Sequence, residues 1–378
     1  MSKGKFHTPT VECQQSLRSI QSDYTRFKLE NAIKRVFDPV SELYWTYYES
    51  SNVRKSSAES SGVVDLPSVV LLHGICGTAG CYFYIVNKLA EAGVRCISAQ
   101  YPEYYSPDEW IAGLLHFIEY LKLSKPLVFG SDLGGYLLQL FVETYPESVC
   151  SIALCNSYRR TDGFSSSPDF RGLYGRLYSV LPHMILRNIY IDSYICPPKG
   201  PRSATKVPVL EHMAREFMAH ELDQLSASEL GSRISLQMST DYVDDYVIRR
   251  ISPNRILIIE TSNNNIPEEL NDDMLVAYRD AKIATMRAGG DFPYLTKPDE
   301  IVTFLLVHLT NVCLLQNEKN IQAENGTAKT LVSCGQARDV AISTIMRKSS
   351  ESSQCSLVPG AYSCDYNDYV TPSLSDVD

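Results

Sequence analysis

The chain has 378 residues, enough for one large α/β domain with insertions or for two domains. Hydrophobic residues make up 44% and tyrosine alone supplies 24, which supports a real core and excludes a wholly disordered chain. A formal net charge of −9 argues against nucleic acid as a general partner, since phosphate binding needs clustered Lys and Arg. Residues 1–22 are polar and read as a flexible N-terminus. Strands are predicted at 32–37 and 43–48, the second alternating and aromatic. Residues 50–65 are Ser-rich and read as a solvated loop. Then Ser68-Val69-Val70-Leu71-Leu72 forms a continuous apolar run of the kind buried on both faces of a parallel sheet. It leads into His73-Gly74-Ile75-Cys76-Gly77-Thr78. Helix and strand alternate from there: helix 81–92, strand 94–99, helix 107–123, strand 127–129, a further helix, strand 151–155. This rhythm implies right-handed crossovers and a doubly wound, mostly parallel sheet.

After Cys155 the rhythm breaks. Residues 156–251 carry prolines, aromatics and helical periods at 209–225 and 227–237, and read as an inserted helical cap. It resumes with strand 255–260, helix 268–280, strand 282–288 and a last helix 298–314. The folded domain is thus placed at 23–315. Residues 316–378 are rich in Ser, Asn, Gly and acidic side chains and read as a disordered tail, with a short amphipathic patch at 340–346. No apolar N-terminal run and no stretch near 18 apolar residues is apparent, which places the chain in the cytosol. The 11 cysteines are odd in number and contain no C-x-x-C pair, so buried reduced thiols are expected rather than a disulfide framework or a zinc site.

The most informative stretch is residues 126–145, PLVFGSDLGGYLLQLFVETY. A short strand, a Gly-flanked turn and an amphipathic helix make the nucleophile elbow of an α/β-hydrolase, where G-x-S-x-G lifts a Ser above the sheet. The elbow position here is Asp132. Ser131 cannot take its place by a register shift, because its own flanks would be Phe129 and Leu133. The acid of such a site follows a late strand, which points to Asn263, with Glu260 and Asn264 as neighbouring alternatives. The catalytic His follows the last strand, and there the chain reads Gly290-Asp291. The degenerate constellation is Asp132, Asn263 and Asp291, with no imidazole. His73, Gly74, Ile75, Cys76 and Gly77, with Ser131 and Leu133, form the candidate oxyanion loop and pocket.

An ordinary Asp titrates at roughly 3.9 and cannot relay protons near pH 7 as imidazole does. Asp132 alone is a candidate carboxylate nucleophile, as in haloalkane dehalogenases and epoxide hydrolases, but those enzymes still need a His-activated water. Loss of the nucleophile or the base of a triad costs on the order of 10⁶-fold. His7 lies in the N-terminal segment, and His73 reads as part of a structural turn. His116 and His308 fall within helices; His183, His212 and His220 belong to the cap. If Asp132 and Asp291 face each other, they must share a proton or hold a cation. No cofactor and no metal is otherwise called for.

At 73–80, 99–102 (AQYP), 130–135, 154–157 (LCNS), 211–237 and 289–295 (GGDFPYL), the chain resembles the maspardin family, over roughly residues 23–314. That resemblance implies a cytosolic α/β-hydrolase-fold protein associated with endosomal and trans-Golgi membranes. It further implies a non-catalytic adaptor or regulator that binds protein partners such as the cytoplasmic tails of membrane receptors. Family members carry Asn where the catalytic His would stand and keep Ser in the elbow as GASLGG. This chain has Asp291 and Asp132 there, a further departure from catalysis. A hydrolase using Asp132, and a sensor holding a small ligand under the cap, are the alternative readings.

Overall fold

The computed structural model describes residues 11–50, 66–164, 178, 180–197, 207–245 and 250–325, with side chains from residue 20 to residue 315. The strands are β1 (Lys34–Asp38), β2 (Leu43–Glu49), β3 (Val69–Leu72), β4 (Cys96–Gln100), β5 (Leu127–Ser131), β6 (Ser151–Cys155), β7 (Ile256–Thr261) and β8 (Lys282–Met286). They form one sheet in the order β1-β2-β4-β3-β5-β6-β7-β8. β2 pairs antiparallel with β1 and with β4, and every other pairing is parallel. β3 is buried along its whole length, as its uninterrupted Val-Val-Leu-Leu requires.

The helices are α1 (Val11–Glu30), α2 (Phe83–Glu91), α3 (Pro107–Tyr120), α4 (Leu133–Thr144), α5 (His183–Tyr190), α6 (Val209–Leu222), α7 (Ala227–Gln237), α8 (Glu268–Ala277), α9 (Pro293–Thr296) and α10 (Pro298–Asn325). The step from β3 to β4 runs one way across the sheet, and the steps from β4 to β5 to β6 run the other. Right-handed crossovers therefore put α2 on one face and α3 and α4 on the opposite one. In keeping with this, α3 packs on α4 and α2 packs on α10. The direction reverses at β3, so a crevice opens beyond the C-terminal ends of β3 and β5, where such sheets bind ligands. The loop from His73 and the turn at Asp132 both leave the sheet there. α5, α6 and α7 are inserted between β6 and β7 and make the cap.

Three expectations are corrected. α1 begins at Val11, inside the segment expected to be flexible to residue 22. Its Ile20, Tyr24 and Phe27 are buried, and Tyr24 and Phe27 pack on Phe83, Phe217 and Tyr48. The spacing of four and three residues makes one apolar stripe, sufficient to seat an otherwise polar helix against α6. At the other end, α10 continues to Asn325, past the expected start of the tail; residues 326–378, including 340–346, lie outside the described residues. Residues 298–315 of α10 are also long and apolar enough to span a bilayer, contrary to the absence of such a stretch expected above. Scattered Asp, Glu and His interrupt the run without lowering its average much. Ile301, Leu305, Leu306 and Leu309 are buried in the core, as befits a core helix. Cys76, Cys81, Cys96, Cys150 and Cys155 are free and buried, and Cys196 is free and exposed.

Candidate functional site

Asp132 closes β5 and caps the N-terminus of α4 with φ 50° and ψ −122°, a conformation that costs a non-glycine residue of order 1–3 kcal/mol. Close packing holds it. A Cβ on Gly134 would lie 2.5 Å from the His73 carbonyl oxygen, so the elbow sits directly against the end of β3. The Asp132 amide donates to the Cys155 carbonyl at 3.1 Å, and its carbonyl accepts from Ser157 Oγ at 3.2 Å.

The side chain of Asp132 is held by the N–H groups that would hold a substrate oxyanion. Oδ2 accepts from the Ile75 amide at 2.8 Å, and the nearby Leu133 amide helps to hold the carboxylate's charge. Those donors sit on the loop after β3 and on the residue after the elbow, where an α/β-hydrolase builds its oxyanion hole. Gly74 permits this approach, since a Cβ there would lie 2.6 Å from Oδ2. Burial pushes the Asp132 carboxyl up to about 6, against the pull of the two amides; the charge of Asp291 adds a smaller push. Asp132 nonetheless keeps partial contact with solvent.

The other two triad positions have partners of their own. Asn263 Oδ1 accepts from the Gly290 amide at 3.0 Å, and its Nδ2 donates to Glu211 of α6. Asp291 accepts from the Asn265 amide at 2.7 Å and from Asn265 Nδ2, and Arg215 of α6 lies 3.4 Å away. Burial raises the Asp291 carboxyl while Asn265 and Arg215 restrain it. Of the alternatives, Asn264 closes its own loop on the Thr261 carbonyl at 2.7 Å, and Glu260 lies inside β7 opposite Thr285. Asn156 Nδ2 and Thr261 Oγ1 both donate to the Gly290 carbonyl, at 3.1 and 2.7 Å, so this end of the sheet is firmly tied. Among the described residues no hydrogen bond joins Asp132, Asn263 and Asp291 to one another. Each carboxylate is held by its own donors rather than by a hydrogen bond to the other. No group of three His, Cys, Asp or Glu is placed for a metal among the described residues.

His73 is fully buried, with Nδ1 2.8 Å from the Gly74 carbonyl and its ring stacked on Tyr101 at 4.2 Å. Burial, and after it the charge of Arg233, hold this imidazole well below its usual value, so it is neutral. The Gly77 amide donates to the Gly74 carbonyl at 3.1 Å and closes the turn. Burial pushes the Cys76 thiol up, with the charge of Asp132 adding to it, which leaves an inert thiol. Ser131 corrects the expectation that it lines the pocket. Its Oγ lies 2.6 Å from the Tyr82 hydroxyl in the core, on the opposite side from its neighbour, as alternation along a strand demands.

Sequence reasoning missed the cap's contribution: Arg215 and Glu211 on α6, Arg233 and Gln237 on α7. The signal was present in α7. Leu230, Ile234 and Gln237 stand three and four residues apart with Arg233 beside them, so charged and amide side chains share the apolar stripe, and all four are buried.

Residues 69–304 match the model of the alpha/beta hydrolase family. The zebrafish (Danio rerio) maspardin is 29% identical over 293 residues, covering 77% of this chain and 86% of that one. The human (Homo sapiens) maspardin is 27% identical over the same length, covering 77% and 87%. Among solved structures, a carboxylesterase of Nitrososphaera gargenis aligns with a TM-score of 0.53 at 15% identity, over 74% of this chain and 98% of that one. A lipase of Acinetobacter baumannii gives 0.52 at 17%, over 82% and 99%. At those identities the structures establish the fold alone. The chain belongs to the α/β-hydrolase family, as a maspardin-like member.

Proposed function

We propose that this protein is a non-catalytic α/β-hydrolase-fold adaptor, acting in the cytoplasm by binding protein partners, including the cytoplasmic tails of membrane receptors, at endosomal and trans-Golgi membranes. One observation carries the loss of catalysis: the protein's own Asp132 carboxylate takes the Ile75 amide that a tetrahedral intermediate would need. Asp291 stands where the relay imidazole would be, His73 is buried and neutral, and among the described residues no imidazole is hydrogen-bonded to Asp132. The binding role draws support from the maspardin-like sequence and from the β1–β2 margin. There Ile33, Phe37, Val40, Leu43 and Tyr44 are exposed on the edge hairpin, an unusual concentration of apolar side chains on and beside the edge strand β1.

Turnover of short-chain esters in heavy-oxygen water tests the first half. The expectation is hydrolysis at the buffer rate and no label in Asp132; heavy oxygen incorporated into its carboxylate would establish the carboxylate-nucleophile mechanism instead. For the second half, receptor-tail peptides are passed over the immobilised full chain and over a Phe37→Lys, Tyr44→Lys variant. Binding that survives both changes rejects the hairpin as the docking edge, and absence of any binding rejects the tail-binding role.

A further inference from the structure

α7 is held rigidly. Ser226 and Glu229 form a capping box, with the Glu229 amide 3.0 Å from Ser226 Oγ and the Ser226 amide 2.8 Å from Glu229 Oε2. The helix carries Arg233 and Gln237 one turn apart on its inward face, 1% and 2% exposed. Arg233 Nη1 donates to the carbonyls of Ile75 and Gly77, at 3.2 and 2.6 Å, and its guanidinium carbon lies 5.6 Å from the centre of the Tyr101 ring. Its Nη2 is buried and meets no partner in the protein. No acidic side chain pairs with it among the described residues. A buried guanidinium without a counter-charge is costly, and such groups are retained where something supplies the negative charge.

The surroundings share that deficit. Gln237 Nε2 and the Tyr101 hydroxyl are likewise buried without partners. Gln237 has its Oε1 occupied by the Tyr158 hydroxyl, so its free end is the donor end. Tyr101 lies between the Arg233 guanidinium and the His73 ring. Because His73 Nδ1 must donate to the Gly74 carbonyl, its unpartnered Nε2 is an acceptor, the one acceptor in the group. Three donor groups, one of them charged, and one acceptor describe a place for an acceptor-rich anion. Its charge is limited by Asp132, whose carboxylate is near enough to reinforce the effect of burial in raising the Tyr101 hydroxyl and the Cys76 thiol. A dianion beside that carboxylate is disfavoured by repulsion, whereas a monoanion is balanced by Arg233.

We propose that Arg233, Gln237 and Tyr101 form a binding site for a small organic monocarboxylate between the cap and the oxyanion loop. The carboxylate sits on Arg233 Nη2 and takes its further hydrogen bonds from Gln237 Nε2 and the Tyr101 hydroxyl. It does not enter the oxyanion hole, which Asp132 occupies. The site goes beyond the adaptor reading and stands without it, since it requires neither catalysis nor a protein partner.

The probe is sodium acetate, titrated into the full chain at constant ionic strength, with binding read by saturation-transfer NMR and by the shift in thermal midpoint. Sodium chloride and inorganic phosphate serve as matched arms. Acetate is expected to give a saturable midpoint rise, and phosphate none. Arg233→Met should fold, since an apolar side chain replaces an uncompensated charge, and should lose the acetate response entirely. Gln237→Leu should weaken it about 5- to 10-fold, the loss of one hydrogen bond. No saturable acetate effect in the wild-type chain overturns the site, as does an undiminished effect in a folded Arg233→Met. A chloride or phosphate effect equal to that of acetate overturns the choice of an organic monocarboxylate. Ester turnover is measured on the same samples, so failure of the binding site and failure of the non-catalytic reading appear in separate readouts.

Discussion

Replacing Asp132 by Asn separates the charge of this residue from its shape. The amide keeps an oxygen for the Ile75 N–H and fits the same turn, but it has no proton to gain or lose. Burial raises the carboxyl from 3.8 to about 6 in the folded protein. A displacement of roughly two pH units corresponds to ~3 kcal/mol, which the partial solvent contact of Asp132 reduces to ~1–2 kcal/mol. The folded chain holds this proton to a higher pH than the unfolded chain does. Its stabilising contribution is therefore complete below about 3.8 and is lost as pH rises through about 6. Asp132→Asn should be more stable than wild type by ~1–2 kcal/mol at pH 8, and the difference should shrink steadily towards pH 4. Urea unfolding followed by the fluorescence of Trp45 and Trp110, both fully buried, reads this directly. A difference that stays constant across that range would refute the claim that a desolvated carboxylate occupies the oxyanion hole.

Three further substitutions probe the frame around the site. Gly74→Ala places a methyl 2.6 Å from Asp132 Oδ2 and 2.7 Å from its Cβ and should destabilise by ~1–3 kcal/mol; adding Asp132→Gly, which removes both atoms, should recover much of this, a non-additivity read by denaturant midpoints. Arg159 is buried and forms a fork with Asp273, at 2.8 and 3.0 Å, plus a 2.8 Å bond to Asp245; Asp273 keeps some solvent and Arg160 at 3.8 Å, so Arg159→Met should cost ~1–3 kcal/mol in urea titration. His308 Nε2 lies 2.6 Å from Ser151 Oγ, and burial, then Lys282, lower its imidazole from 6.5 to about 4. The unfolded chain takes up this proton first, so stability falls as pH drops from 6.5 through about 4, and His308→Gln should flatten that limb of the pH–midpoint curve.

The sheet was legible where physics leaves little choice. β3, β5 and β6 are buried on both faces and carry unbroken apolar runs, so their positions follow from composition within a few residues. β8 was harder: it is mostly exposed, mixes Lys282 and Thr285 with apolar residues, and ends at Met286 rather than at 288. α1 escaped notice because, among its described side chains, the buried apolar ones are Ile20, Tyr24 and Phe27, and a few spaced apolar residues in a polar stretch are read easily as coil. At the site, the positions of Asp132, Asn263 and Asp291 followed from chain order in the fold. Their partners did not. Whether a carboxylate turns towards Ile75 or towards position 291 depends on a rotamer, and whether Asp291 finds Arg215 depends on how the cap is seated. Neither is encoded in local spacing.

The substitution at the elbow has two effects, and they can be pulled apart. A Ser hydroxyl is shorter than a carboxylate and leaves the Ile75 and Leu133 amides free; Asp132 both removes that hydroxyl and occupies its oxyanion donors. Asp132→Ser therefore reopens the hole but still lacks a base, because Asp291 is held by Asn265 and Arg215 and, among the described residues, no imidazole bonds to the elbow. Asp291→His alone supplies an imidazole beside a plugged hole. Only the pair of changes restores a nucleophile, a base and two oxyanion donors, without an acid to orient the base, since Asn263 is bound to the Gly290 amide and Glu211. Loss of the acid alone costs a triad enzyme about 3 × 10⁴-fold and loss of Ser or His about 2 × 10⁶-fold, so the double variant should hydrolyse p-nitrophenyl acetate roughly 10²-fold faster than either single one. If Asp132→Ser alone matches the double variant, another group in the pocket moves protons, and the absence of a relay is wrong. If neither exceeds the wild-type chain, the cap denies access, and the loss of activity does not reside in these side chains alone.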